Sequence, residues 1–381
     1  MGINIGVVVH GPRIVDSGYA ERILDILREF SEIYDVDIEV TAKVGGNMGR
    51  VAVIDRGLED VIDISERLYP SQCLRRLKDR DILLLLNYGK SKETGHTFGR
   101  MVVKRAEIDK PVIQIERPGE KDGSILVWNR EYCSEDIKKI LDTLVSYISE
   151  RLGLEVEKCV EGRLSVWEKG DKVFRRIDTV DPGEDILVNG IVVGRVLKSP
   201  VVLISEMGKI VEIINGEIKK DGVERLGYVD LKNAIVKTGV LRKGSFRDID
   251  RKKFTSDNLL GDILIVDRGD IDILGELKNK NISTVITIGS DTTLILGSIL
   301  SRFSVKVVGI VDKDIYRHKL VEDMRLTEGS KIFLVKNWRC SKVGKLLMEH
   351  LKGRKLNYDC ILKYVIDLLK KYKVDYEILN F

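Results

Sequence analysis

The 381-residue chain is 43% hydrophobic and 33% charged with a net charge of +4. This describes a folded, soluble protein and argues against a dedicated nucleic-acid binder, which would carry a basic stripe. Its length exceeds one ordinary core and implies two or three domains. The five cysteines, at 73, 133, 159, 340 and 360, form no CxxC pair, which argues against a zinc knuckle or disulfide framework and fits a reducing cytoplasm.

The N-terminus leads directly into a short strand, Ile3 to Val9, so neither a signal peptide nor a membrane span is expected. His10-Gly11-Pro12 ends that strand. Ser17 is expected to cap a helix whose apolar face is Ile23, Leu24, Leu27 and Phe30. A second strand over Ile38 to Thr41 runs into Gly45-Gly46-Asn47-Met48-Gly49-Arg50. After a helix at Cys73 to Lys78, the apolar run Ile82 to Leu86 reads as a buried strand. It feeds Asn87-Tyr88-Gly89-Lys90-Ser91-Lys92-Glu93-Thr94-Gly95-His96 and a helix over Phe98 to Ala106. Val112 to Ile115 is the next strand, ending in Glu116-Arg117-Pro118-Gly119. Ile125 to Trp128 follows, and Ser134 caps a long helix. This alternation implies a mostly parallel, three-layer domain over residues 1–153.

From about Val156 the segments become short, rich in Val and Ile, and punctuated by Gly and Asn. The Asn189-Gly190 pair between apolar runs is a hairpin signal. A small β-rich module is expected over 155–228. The strand-helix rhythm returns over 230–381, with strands at Asp262 to Val266, Thr284 to Ile288, Val305 to Ile310 and Ile332 to Val335. The expected fold is therefore α/β: two Rossmann-like or flavodoxin-like three-layer parallel-sheet domains separated by a β-rich module. Ile and Lys are abundant and Gln occurs only at 72 and 114, a bias that suits a heat-adapted organism.

Right-handed crossovers place the carboxyl ends of parallel strands on one edge. His10, Gly11, Gly45, Gly46, Asn47, Gly49, Arg50, Asn87, Gly89, Lys90, Ser91, Glu93, Thr94, Gly95, His96, Glu116 and Arg117 are thus expected around one cleft. Glycine amides admit an anion closely. Arg50, Lys90 and Arg117 supply cations, and Ser91 and Thr94 supply hydroxyls. His10 and His96 are candidates to bind a polar ligand or move a proton. The plain alternative is a set of turns with surface charges. The partner expected from this chemistry is a small phosphorylated ligand, with no membrane and no nucleic acid.

These motifs resemble an uncharacterised archaeal family, found mainly in methanogens, known as domain of unknown function 2117. The resemblance rests on Val9-His10-Gly11-Pro12 with Asp16-Ser17-Gly18, Gly45 to Arg50, Asn87 to Ser91, Glu93 to His96, and Gln114 to Gly119, and it implies no activity. More distantly, Gly11-Pro12, Asp81, Glu93-Thr94-Gly95 and Lys110-Pro111-Val112 are similar to the nucleoside deoxyribosyltransferase superfamily. That likeness implies a nucleotide or sugar-phosphate pocket. The family's nucleophile position falls on Gly99, which cannot act.

Farther along, Gly289-Ser290-Asp291-Thr292-Thr293 resembles the Gly-Gly-Asp-Gly-Thr loop of NAD kinases and phosphofructokinases. The resemblance implies phosphate binding by Gly289, Ser290, Thr292 and Thr293. It also implies a Mg²⁺ site at Asp291, with Asp312 and Asp314 at the end of the next strand completing an acidic cluster. The plain alternative for Asp291 is a helix N-cap. Three readings follow: a binder of a nucleotide or phosphorylated metabolite, a Mg²⁺-dependent phosphotransferase or hydrolase using Asp291, and a non-enzymatic sensor or assembly factor.

Overall fold

A computed structural model describes residues 2–160, 166–239, 261–267, 269, 271–313 and 325–381. Among the described residues the strands form four sheets. The first holds β1 (Gly2–His10), β2 (Asp37–Gly45), β3 (Ile62–Asp63), β4 (Ile82–Asn87), β5 (Val112–Glu116), β6 (Ser124–Trp128) and β7 (Glu155–Val156), in the order β3-β2-β1-β4-β5-β6-β7. Strands β3 to β5 in that order run parallel, and β6 turns back antiparallel to β5. Every residue of β4 is buried, as a central parallel strand covered on both faces requires.

Helices cover both faces of this sheet. Tyr19–Tyr34 and Glu135–Leu152 pack Ile23, Leu27, Leu144 and Ile148 on one face. Pro70–Arg76 and Lys92–Ala106 pack Cys73, Leu74, Val102 and Val103 on the other. Two helix starts differ from expectation. Ser17 does not cap; its hydroxyl bonds back to the Ile14 carbonyl, and Gly18, at φ 81°, precedes the helix. The helix expected from Phe98 begins at Lys92, because Ser91 and Thr94 form a reciprocal capping box. Glu93, Thr94, Gly95 and His96 therefore lie on a helix, not in a loop.

The middle of the chain forms two four-stranded antiparallel sheets between Val166 and Gly239. The Asn189-Gly190 turn joins Asp185–Val188 to Ile191–Val196 as the pair predicts. Strand Val236–Gly239 pairs with Asp185–Val188, so the chain beyond residue 230 first completes a β sheet. The last sheet has six strands. Gly261–Val266, Ile282–Ile288, Val307–Asp312 and Lys331–Val335 run parallel, and two short antiparallel strands flank them. The protein is thus a mixed α/β chain. Among the described residues no helix is long and apolar enough to cross a membrane.

The helix Asn47–Arg56 serves two cores at once. Ala52 and Val53 face the first sheet, while Val51 and Ile54 pack with Ile273, Leu277, Leu296 and Ile299. Four consecutive apolar residues, Val51 to Ile54, are the sequence mark of a helix enclosed on both sides. At its end Asp55 meets Arg302 through two hydrogen bonds of 2.8 and 2.9 Å, with both side chains buried. Such a pair does little net work when intact but leaves an uncompensated buried charge when broken. Asp55→Ala is expected to lower unfolding stability by about 3–5 kcal/mol. In urea titrations, Asp55→Leu combined with Arg302→Met should recover most of that loss. An Asp55→Ala variant as stable as wild type would show the pair to be solvated in solution.

Candidate functional site

The carboxyl ends of four strands lie side by side. His10 pairs in register with Gly45, and Asn87 with Glu116. Val9 sits opposite Leu86, which places His10 beside Asn87. The side chains then divide into those that bind the protein to itself and those that face open space.

Glu116 is wholly buried. Its carboxylate accepts the Gly89 N–H at 2.7 Å, the Asn87 side-chain amide at 2.7 Å and the Gln114 side-chain amide at 2.8 Å. Burial pushes its pKa up, against the pull of these donors and of the Arg117 charge. Three converging N–H groups match the ionised form, which is acceptor-only. Gln114 is oriented from its other end: the Trp128 indole, which can only donate, bonds its carbonyl oxygen at 3.0 Å. Gly95 and Gly99 make room for this network. A Cβ on Gly95 would fall 2.1 Å from the Glu116 carboxyl carbon, and one on Gly99 would fall 1.7 Å from the Gln114 oxygen.

The network ends on His10. Because Asn87 gives its amide hydrogens to Glu116, its oxygen faces His10 Nδ1, at 2.7 Å. Nδ1 therefore carries the ring proton and Nε2 carries a lone pair. The ring stacks on Phe98, with centroids 4.1 Å apart and planes 17° from parallel. Enclosure by protein lowers its pKa to about 4, helped by the Lys237 charge and opposed by the Asn87 bond. Even so, His10 keeps part of its surface open.

Lys237 has the same character. Its side chain is exposed, yet the surrounding protein and then the Arg67 charge hold its ammonium below the usual lysine range. Its neighbour Thr238 bonds Lys90 in the loop after β4, so strand Val236–Gly239 reaches the edge that carries His10. Lys237 makes no hydrogen bond or ion pair with any described residue, and Arg67 only overlies the Tyr69 ring, 5.8 Å from its centroid. Arg67 sits next to Leu68, whose carbonyl accepts the Gly46 N–H at 3.0 Å. Gly46 opens the helix Asn47–Arg56, whose N-terminus has no side-chain cap. An uncapped helix N-terminus, two cations and a neutral imidazole thus share one cleft.

Other expected ligand residues are spent on the protein. Arg50 is buried and bonds Asp272 and the Ile64 carbonyl, while Asn47 bonds the Ile271 carbonyl. Lys90 holds Glu184 and Thr238. Arg117 bonds Asp122 and the Gly89 carbonyl. His96 is wholly buried with both nitrogens engaged: Nδ1 accepts the Val160 N–H at 3.1 Å, so Nε2–H donates to Ser124 at 2.8 Å. It is a structural tie with the tautomer opposite to that of His10. Glu93 caps its own helix start, with its pKa lowered by backbone and Ser91 bonds. The helix expected after Thr293 already begins at Ser290 with Gly289 at its cap, so Asp291 lies in the first turn and is not the N-cap. Asp291 there meets Lys219 and Arg225, while Thr292 and Thr293 bond the carbonyls of Asp267 and Gly289. Asp312 accepts the Cys340 N–H at 2.6 Å, so the two acids have separate partners. Asp314 lies outside the described residues. Among the described residues no group of three His, Cys, Asp or Glu side chains is placed to hold a metal.

The reading of the sequence alone passed over Arg67, Phe98, Gln114, Trp128 and Lys237 as site residues. Gln114 alone had a signal, as one of the two glutamines in the chain and inside a buried apolar strand.

The profile of an archaeal family, described as an uncharacterised protein conserved in archaea (DUF2117), matches residues 7–355. An uncharacterised protein of Methanocaldococcus jannaschii is 48% identical over 377 residues, spanning 98% of this chain and 99% of its own. Two crystal structures of S. aureus homoserine dehydrogenase, at pH 6.0 and pH 7.5, align with 41% and 50% of this chain and 32% and 38% of theirs. Identities are 15% and 17%, and TM-scores are 0.18 and 0.20, too low to carry fold or activity across. The nucleoside deoxyribosyltransferase likeness stays at the level of short motifs, and Gly99 is packed against Gln114 where that family has its nucleophile.

Two outcomes test this geometry. In Glu116→Gln the new amide needs an acceptor, so Asn87 must turn its oxygen toward residue 116 and its amide toward His10. The ring proton should then move from Nδ1 to Nε2, read by two-bond proton–nitrogen NMR near pH 7; an unchanged tautomer would contradict the relay. The second outcome concerns pH. His10 takes a proton near 6.5 when unfolded and near 4 when folded. Its contribution to stability is complete above 6.5, declines as pH falls toward 4 and levels below. His10→Phe should flatten that part of the stability curve in urea titrations stepped through pH.

Proposed function

The chain belongs to the DUF2117 family of archaeal proteins, and we propose that it binds a small phosphorylated ligand, such as a nucleotide or sugar phosphate, in the cleft lined by His10, Arg67 and Lys237. One observation carries the reading: Arg67 and Lys237, which form no ion pair with any described residue, lie near one another and near His10, whose Nε2 has no partner among the described residues, at the sheet edge where the uncapped helix Asn47–Arg56 begins. Cations packed only for stability would be paired or snorkel to bulk water. A phosphate would accept from both and from the helix amides. The arrangement this reading assumes is that of two Rossmann-like units flanking a β module, with the ligand at a carboxyl edge. Asp291, already neutralised by Lys219 and Arg225, gives no support to magnesium-dependent phosphotransfer.

Each charge-assisted bond contributes on the order of 1.5–3 kcal/mol, about tenfold or more in affinity. In calorimetry with phosphate esters, Lys237→Ala and Arg67→Ala should each weaken binding by about that factor. Lys90→Ala, whose ammonium is bonded to Glu184 and Thr238, should change it much less. Unchanged affinity in both cleft variants would overturn the reading.

A further inference from the structure

We infer that the ligand of this cleft is a phosphate ester bearing its own hydroxyl or N–H donor, received by the lone pair of His10 Nε2. The inference rests on the phosphate reading above and goes further, from the anion to what must accompany it.

The direction of the hydrogen bond is set a long way from the ligand. Trp128 can only donate, so Gln114 turns its amide to Glu116. Glu116 accepts from Gln114, Gly89 and Asn87, so Asn87 turns its oxygen to His10. Each link has one consistent orientation while Glu116 is ionised, and the outcome is an Nε2 that accepts. Stacking on Phe98 fixes the plane of the ring and hence the direction of the lone pair. A phosphate oxygen has no proton to offer Nε2 when ionised. Two acceptors facing each other repel, so a bare anion would leave the nitrogen unsatisfied. A hydroxyl or an N–H on the same ligand satisfies it. Protonating His10 instead would place a third positive charge beside Lys237 and Arg67.

The buried relay also costs desolvation that an apolar set of the same shape would avoid. Gly95 and Gly99 are shaped around it. Its product is a defined acceptor at an open surface, which implies discrimination between ligands that bring a donor and ligands that do not.

The test compares esters matched for charge. Glycerol 3-phosphate and ribose 5-phosphate carry hydroxyls; propyl phosphate, whose only polar group is the phosphate, serves as the reference, all measured by calorimetry on the full chain at pH 7. A neutral hydrogen bond predicts a preference of about three- to tenfold for the hydroxylated esters over propyl phosphate. The ratio should fall to about one in His10→Phe. In Glu116→Gln, where Nε2 carries the proton, it should fall as well, which guards against a misfolded His10 variant. Equal wild-type affinities for hydroxylated and propyl esters would overturn this inference and leave the phosphate reading standing. Absence of binding by all three esters would overturn both.

Discussion

A carboxylate taken out of water must be met by donors or give up its charge, and Glu116, with no exposed surface at the end of β5, is met by three. Much of the first sheet's active edge follows from that requirement. The Gly89 N–H is committed, which fixes the start of the loop after β4. Helix Lys92–Ala106 must approach close enough to seal the network, and only glycine at 95 and 99 allows it. Asn87 is turned, and with it His10. An edge residue of one strand thereby sets the proton position on the ring of another.

Ties between parts far apart in the chain hold the elements together. Lys90 and Lys92 reach Glu184 and Glu157, and the Val160 amide reaches His96. Lys219 and Arg225 reach Asp291, and Arg302 reaches Asp55. Charges that a sequence reader assigns to a ligand are here used to hold elements against one another. Arg67 and Lys237, which form no ion pair with any described residue, come from segments that sequence gives no reason to join. Helix Asn47–Arg56 links these roles, since one end faces the cleft and its body lies between two cores.

Patterns of continuous apolar residues made β1, β4 and β5 legible, because strands covered on both faces need no alternation. Ser134 and the Asn189-Gly190 turn were legible for local reasons of capping and left-handed backbone. The start of the helix at Lys92 was not, because its cap lies in a stretch rich in glycine and polar residues that also reads as a loop. Strand Val236–Gly239 was hidden because its partner is some fifty positions earlier, and short strands draw their identity from pairing more than from propensity. Arg50, Lys90 and Arg117 were read as open cations because nothing local reveals a distant acceptor. Lys237 was missed for the converse reason.

The position of one proton on the His10 ring decides what this edge of the sheet can accept. Neutron diffraction from deuterium-exchanged crystals near pH 7 would locate it directly. A deuteron on Nδ1 of His10, directed at the Asn87 oxygen, with Nε2 bare and Glu116 ionised, is the predicted result. A deuteron on Nε2, or on a Glu116 oxygen, would contradict it.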